Sequence, residues 1–185
     1  MKLGLIGTPV HQSISPELQK ILFDTFNLEG CTYEKNDISS EELSSFFDAF
    51  KAGAFDGINI TIPHKEHGLE FVDELDESVK ILGNTNCITR KGNSLKGYNT
   101  DLYGFEMMLH HNNISVESKH CLVLGAGGSS KTIVKALIDG HAASITIKNK
   151  SIENALKIQS YAQVISDIDI QIFDKSDIKF DLAIN

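Results

Sequence analysis

The stretch that most narrows what this chain can fold into is residues 119–137, KHCLVLGAGGSSKTIVKAL. Cys121-Leu122-Val123-Leu124 is a short apolar run of the kind that fills a buried parallel strand. It breaks into Gly125-Ala126-Gly127-Gly128, and then Ile133, Val134, Leu137 and Ile138 recur at helical spacing. Strand, glycine turn and helix in that order open a dinucleotide-binding unit. Glycines allow a tight turn and a close approach of backbone to a pyrophosphate. The helix N-terminus adds N–H groups and a positive dipole end. The pattern departs from the usual G-x-G-x-x-G at its third position, where Ser130 stands. A plain structural turn in an α/β domain is the competing reading.

Upstream, strands and helices alternate. Leu3 to Gly7 reads as a first strand and residues 8–16 as a polar loop, with Ser15 as an N-cap and Pro16 at the start of a helix. Leu18, Ile21, Leu22 and Phe26 mark the apolar face of that helix, expected to point inward. Cys31 to Ile38 reads as a strand. A helix follows, capped by Ser39 or Ser40 and running to Lys51, with Leu43, Phe46, Phe47 and Phe50 as its buried stripe. Gly57 to Pro63 is a third strand, and the alternation predicts a parallel α/β sheet. Core candidates beyond it are Leu69, Phe71, Leu75, Val79, Ile81 and Leu82. Residues 87–89 and 94–96 flank a glycine turn as a hairpin would. Asn99 or Thr100 can cap a helix to about His111.

After residues 121–124 the spacing predicts a helix over about 128–139 and a strand over 144–148. A second helix is expected over about 152–162, with Ala155, Leu156, Ile158 and Tyr161 inward, then strands over 169–173 and 180–185. The domains expected are 1–101, a connecting helix and linker at 102–118, and 119–185. A full dinucleotide fold uses two such halves. The chain gives roughly one and ends on an apolar strand, so an incomplete protein is expected.

Composition excludes several classes. The 185 residues carry a net charge of −8 with charges of both signs interspersed, and no basic stripe suggests nucleic acid. No apolar run approaches the roughly 20 residues that span a bilayer, and the N-terminus is too soon interrupted for a signal peptide. Cys31, Cys87 and Cys121 form no CxxC pattern, so reduced thiols and a cytoplasmic protein are expected. His64 and His67, and the adjacent His110 and His111, lack a third ligand at supporting spacing, so no metal site is expected.

About 20 residues past the glycines of an NAD-binding unit, a carboxylate holds the ribose hydroxyls. Here Ile147-Lys148-Asn149-Lys150-Ser151 has none. Two cations, an amide and a hydroxyl suit a 2′-phosphate, which favours NADP over NAD. A solvated turn with Ser151 as an N-cap is the alternative.

The front half carries polar groups at strand ends and loops, where sites of α/β sheets gather. They are Ser13, Ser15, Asn59, Thr61, Lys65, Asn86 and Asp101. Asn59 and Thr61 share a strand face by the period of two. Hydroxyls, amides, one Lys and one Asp suit a small polyhydroxy carboxylate. A Lys beside an Asp can act as a general acid–base dyad. Singly, each has a structural alternative: a cap, a satisfied strand residue, a surface lysine, a helix-start carboxylate.

Taken together, Ser13-Ile14-Ser15-Pro16, Asn59-Ile60-Thr61-Ile62-Pro63-His64-Lys65, Gly83-Asn84-Thr85-Asn86, Tyr98-Asn99-Thr100-Asp101, Gly125-Ala126-Gly127-Gly128 and Asn149-Lys150-Ser151 resemble the shikimate dehydrogenase family, in the same order and across essentially the whole chain. The resemblance implies an α/β, two-domain architecture. An N-terminal substrate domain with a mostly parallel sheet is followed by a Rossmann-like NADP-binding domain, here incomplete. It implies NADPH-dependent reduction of 3-dehydroshikimate to shikimate, by a monomer or homodimer with a small-molecule substrate and no nucleic-acid or membrane partner. Ser13 and Ser15 would hold the substrate carboxylate; Asn59, Thr61, Asn86 and Asp101, with Lys65, would hold the rest. Lys65 and Asp101 would be the acid–base pair. Gly125, Ala126, Gly127, Gly128 and Ser129 would cradle the pyrophosphate, and Asn149, Lys150 and Ser151 would bind the 2′-phosphate.

Lys150 stands where the family usually has Arg, which reduces a bidentate contact to a point charge; Lys131 likewise replaces a common Arg. Family members continue past Asn185 into segments that frame the nicotinamide and helices that return to the substrate domain, so a closed nicotinamide pocket is not expected of this chain. A quinate/shikimate dehydrogenase using NAD, and a folded but non-catalytic fragment, are the alternatives.

Overall fold

Local sequence sets each element, and the sheets then sort the elements into two groups. The computed structural model describes residues 1–174 and 179–185. They divide into two units, residues 1–100 and 101–185. The elements of the first are β1 (Lys2–Gly7), α1 (Ser15–Thr25), β2 (Thr32–Asp37), α2 (Leu43–Lys51), β3 (Gly57–Ile60), β4 (Glu74–Leu75), α3 (Glu77–Leu82), β5 (Cys87–Lys91) and β6 (Ser94–Tyr98). They build a six-stranded sheet in the order β2-β1-β3-β5-β6-β4. β1, β2 and β3 run parallel, while β5 pairs antiparallel with β3 and forms a hairpin with β6.

This sheet has two unlike faces. Ile6, Ile58, Ile60, Ile88 and Leu95 are buried against Leu43, Phe47 and Phe50 of α2. α2 enters through a single 3₁₀ turn, where the Ser39 N–H donates to Glu42 Oε2 at 2.9 Å in a capping box. On the opposite face, the register sets Leu3 beside Tyr33 and Leu5 beside both Lys35 and Asn59. That face holds the site.

α1 corrects an expectation. Its apolar stripe is real but faces out: Leu18, Ile21 and Phe26 are 53%, 61% and 66% exposed. The half-buried face is Pro16, Gln19 and Phe23. Periodicity fixes which side chains share a face, not which face meets the sheet. Ser15 is not the cap either; it is the first helical residue, and its N–H donates to Ser13 Oγ at 3.2 Å. Leu75 is exposed on the two-residue β4, whereas Val79 and Leu82 of α3 are buried.

The second unit has α4 (Asp101–His111), β7 (His120–Leu124), α5 (Ser130–Asp139), β8 (Ser144–Lys148), α6 (Ile152–Ile165), β9 (Asp169–Ile172) and β10 (Leu182–Ile184). Among the described residues its four strands are parallel, in the order β10-β7-β8-β9. Cys121, Val123, Ile145 and Ile147 pack with Val134 and Leu137 of α5 and with Ala155, Ile158 and Ala162 of α6. Leu109 of α4 joins this core, so the helix expected as a connector packs within the unit. Leu156, expected inward, is exposed. β10, expected as buried, is a sheet edge with Ala183 exposed. Among the described residues, no helix is long and apolar enough to cross a membrane.

Candidate active site

In the first unit, the polar residues gather where β1 and β3 end. The Thr61 N–H donates to the Ile6 carbonyl at 2.9 Å, carrying β3's pairing past its last residue. Gly7 allows the approach: a Cβ there would lie 2.4 Å from Thr61 Cγ2 and 2.8 Å from the Ile62 carbonyl. His64 closes a turn, its N–H donating to the Thr61 carbonyl at 3.0 Å. Its ring is fully buried, with Nε2 2.6 Å from the Ile38 carbonyl. Half-buried Lys65 follows, and its carbonyl accepts from the Thr85 N–H at 2.8 Å. That bond ties the Lys65 backbone to the segment that carries Asn86 into β5.

A hydrogen-bonded path joins the candidate substrate groups. Ser13 Oγ donates to Ser15 Oγ at 2.9 Å. The Ser15 hydroxyl bonds to the Tyr33 phenol, which donates to Asn59 Oδ1 at 2.9 Å. Asn59 Nδ2 donates to the Asn86 carbonyl at 3.3 Å, and Asn86 Nδ2 donates to Thr100 Oγ1 at 3.0 Å. The Thr100 N–H returns to Asn86 Oδ1 at 2.9 Å. The orientation of the Asn59 amide follows from its partners. A carbonyl only accepts, so Nδ2 must face Asn86 and Oδ1 must take the phenol proton. Ser13, Ser15, Asn59 and Asn86 are therefore in one network, beside the Thr61-to-Lys65 turn. Asp101 is the first residue of α4 and belongs to the second unit.

Tyr33 is the member of this network that sequence reasoning missed. The signal was faint: a lone aromatic at an odd position of an otherwise polar strand, TYEKND. Burial pushes its phenol up to about 12, a bond from Ser15 partly opposing the rise. The Tyr161 phenol is also pushed up to about 12 by burial. Both folded values lie above the ordinary 10.0, so the folded chain binds more protons between about 10 and about 12. The stability supplied by the neutral phenols is whole below pH about 10 and is lost as pH climbs toward 12. Tyr33→Phe and Tyr161→Phe should each flatten that alkaline loss, by at most about 2 kcal/mol. Denaturant unfolding from neutral pH to about pH 11.5 measures it. An undiminished loss in both variants would rule the assignment out.

In the second unit, β7 ends in the glycine loop. Gly125 has φ +112°, a conformation open to glycine alone in practice. Its N–H donates to the Lys148 carbonyl at 2.8 Å. Ser130, in place of the third glycine, is 6% exposed and its Oγ donates to the Gly125 carbonyl at 3.1 Å. The hydroxyl thus closes the loop from within. Around Gly127 and Gly128 an added Cβ would meet nothing within 4 Å, which leaves the backbone at the start of α5 open to a ligand. Ala126 and Ser129 complete the loop.

Asn149 acts first as a staple. Its Oδ1 accepts from the Ala126 N–H at 3.2 Å, and its Nδ2 donates to the Ser151 carbonyl at 2.9 Å. Ser151 is the N-cap of α6, accepting from the Asn154 N–H at 3.3 Å. The Lys148 ammonium lies 4.6 Å from the Phe173 ring centre, and Lys150 is exposed. Leu124, Gly125, Lys148, Asn149, Lys150 and Asn185 line a cleft of about 470 Å³. Among the described residues, no three His, Cys, Asp or Glu side chains gather as a metal site requires.

Known proteins resemble the chain in both units. Residues 5–88 match the family described as shikimate dehydrogenase substrate binding domain, and residues 108–182 match shikimate / quinate 5-dehydrogenase. The chain is 38% identical over 163 residues to a protein of Nitrosopumilus maritimus named shikimate dehydrogenase (NADP(+)), covering 88% of this chain and 59% of that protein. It is 33% identical to a protein of the same name from Caldicellulosiruptor saccharolyticus, across 100% of this chain and 67% of that one. A structure of shikimate 5-dehydrogenase from Thermus thermophilus in complex with NADP(H) and shikimate superposes with a TM-score of 0.83. There the identity is 26%, and the match covers 94% of this chain and 63% of that one. The chain therefore spans about three fifths to two thirds of the length of these relatives.

Proposed function

The chain belongs to the shikimate dehydrogenase family, and from that premise we propose that it carries the substrate site and much of the cofactor site of an NADP-dependent shikimate dehydrogenase. The reaction is the reversible reduction of 3-dehydroshikimate to shikimate, in the cytoplasm, within the pathway to aromatic amino acids. The enzyme acts as a monomer or homodimer. The observation that carries this reading is the network joining Ser13, Ser15, Asn59 and Asn86 beside the turn that presents Lys65.

Ser13 and Ser15 offer two hydroxyls to the substrate carboxylate. Thr61, Asn59 and Asn86 offer donors and acceptors to the ring. Lys65 and Asp101 are the acid–base pair, carried over from the family motif. In that pair Lys65 delivers the proton to the carbonyl oxygen. When bound, NADPH supplies the hydride. The fit to a dinucleotide rests on the open backbone at Gly127 and Gly128 and on the cleft beside Lys148 and Lys150. Gly125, Ala126, Gly127, Gly128 and Ser129 hold the pyrophosphate. With Asn149 and Ser151 engaged in the loops, Lys150 gives the 2′-phosphate its mobile charge.

The test is turnover of shikimate by the full-length protein with NADP and with NAD. NADP should be the better cofactor. Lys150→Asp should lower kcat/KM for NADP about 10- to 100-fold, because it replaces a cation facing the phosphate with an anion, and should leave NAD nearly unchanged. Equal losses with both cofactors would remove Lys150 from the phosphate site. NAD preferred by the unaltered protein would favour the quinate/shikimate alternative.

A further inference from the structure

β2 presents its odd-numbered residues to the loop that carries the two serines. Side chains alternate along a strand, so Tyr33, Lys35 and Asp37 share one face. Each meets the loop at a different point. Tyr33 bonds to Ser15. The Lys35 ammonium donates to the carbonyls of Ser13 and His11 at 2.8 and 3.0 Å. Asp37 takes the Val10 N–H at the 3.5 Å limit of a hydrogen bond. The loop's own bonds, Ser13 N–H to the Val10 carbonyl at 3.0 Å and Ser15 N–H to Ser13 Oγ at 3.2 Å, then turn both hydroxyls to one side.

We propose that Lys35 is a positioning and charge-supplying residue of the carboxylate subsite, anchoring the loop of Ser13 and Ser15 and setting a cation behind it. The inference rests on the reading of those serines as the carboxylate's partners. Bond lengths within one serine put its Oγ no more than about 4.8 Å from its carbonyl oxygen, so the ammonium lies within roughly 7.6 Å of Ser13 Oγ. A carboxylate bound there lies within about 10 Å of Lys35, on the order of one Debye length at 0.1 M salt. The net charge of −8 on these 185 residues repels an anionic substrate, and Asp37 adds to that on the same strand face. A cation in contact with the loop offsets both. Serine hydroxyls alone would select a hydrogen-bonding group; the cation makes the subsite select a charged one.

The experiment is steady-state kinetics of the full-length protein with NADP saturating, at low and high ionic strength, for Lys35→Met, Lys35→Gln and Lys35→Arg. Gln keeps an amide donor for the carbonyls without the charge, and Arg keeps the charge. At low salt, Met and Gln should raise KM for shikimate about fivefold and leave kcat within about twofold. Their KM should respond little to salt, whereas that of the unaltered protein should rise about threefold from low to high salt. Arg should retain most of the affinity and the salt response. The methyl ester of shikimate, lacking the charge, should distinguish the four proteins by less than about twofold. An unchanged KM in Lys35→Met, or a salt response undiminished in Lys35→Gln, overturns the proposal while shikimate turnover stands. No turnover of shikimate by the unaltered protein overturns the reading and the proposal with it.

Discussion

Replacing Lys65 by Met should lower the turnover of shikimate about a thousandfold while NADP binds as before. General acid–base catalysis by a positioned side chain contributes about 10²- to 10⁴-fold, and Met preserves the volume of the lysine stem while removing its proton. The effect should be large because Lys65 is held rather than free to wander. Its carbonyl is bonded to the Thr85 N–H, and the turn before it is closed on Thr61 and anchored through the buried His64 ring. The groups proposed for the cofactor, around Gly125 and Lys150, belong to the other unit, so NADP affinity should not move. Lys65→Arg is the sharper arm. It restores charge but holds its proton too tightly to exchange it, and should recover substrate affinity with little of the rate. Single-turnover kinetics beside a cofactor titration measures both quantities. Turnover within tenfold of the unaltered protein, in either variant, would take Lys65 out of the proton-transfer role.

Features with a local signal are legible in the sequence. The glycine loop could be read because strand, turn and helix follow one another within 20 residues, each with its own period. The places of Asn59 on β3 and of Thr61 and Lys65 just after it could be read because a strand end is marked by where its apolar run stops. What could not be read is who faces whom. The stripe of α1 is regular, yet Leu18, Ile21 and Phe26 are exposed while Phe23 is half-buried. Leu156 shows the same failure on α6. Tyr33 and Lys35 were hidden for another reason. Their partners, Ser15 and Ser13, are about 20 residues away, and only the strand order β2-β1-β3 brings β2 beside the loop that follows β1. Asn149 and Ser151, proposed for the 2′-phosphate, are a loop staple and an N-cap in the structure, and spacing alone cannot separate a phosphate ligand from either.

Phe47→Ala should cost the first unit about 3–5 kcal/mol, the range for emptying a buried aromatic site. Phe47 is 1% exposed, stacks on Phe71 at 4.4 Å between ring centres, and meets Phe46 edge-on at 5.9 Å. Its removal opens the core on which Ile6, Ile58 and Ile60 rest. Domains of this size are held by about 5–15 kcal/mol in all, so the first unit should come close to unfolding at growth temperature. The second unit has its own core around Val123, Ile145 and Leu137, with no residue shared. Denaturant unfolding should therefore separate into two transitions, the earlier one abolishing shikimate turnover and the later one abolishing NADP binding. Phe47→Leu, which refills most of the volume, should bring the transitions back together. A single transition shifted as a whole would mean that the units stand or fall together. A cost below about 1 kcal/mol would mean that the aromatic cluster is not the support of the sheet. The consequence for chemistry follows from the sheet's two faces: the aromatic layer beneath keeps β1 and β3 in register, and the register is what brings Gly7, Thr61 and Asn59 to one place above it.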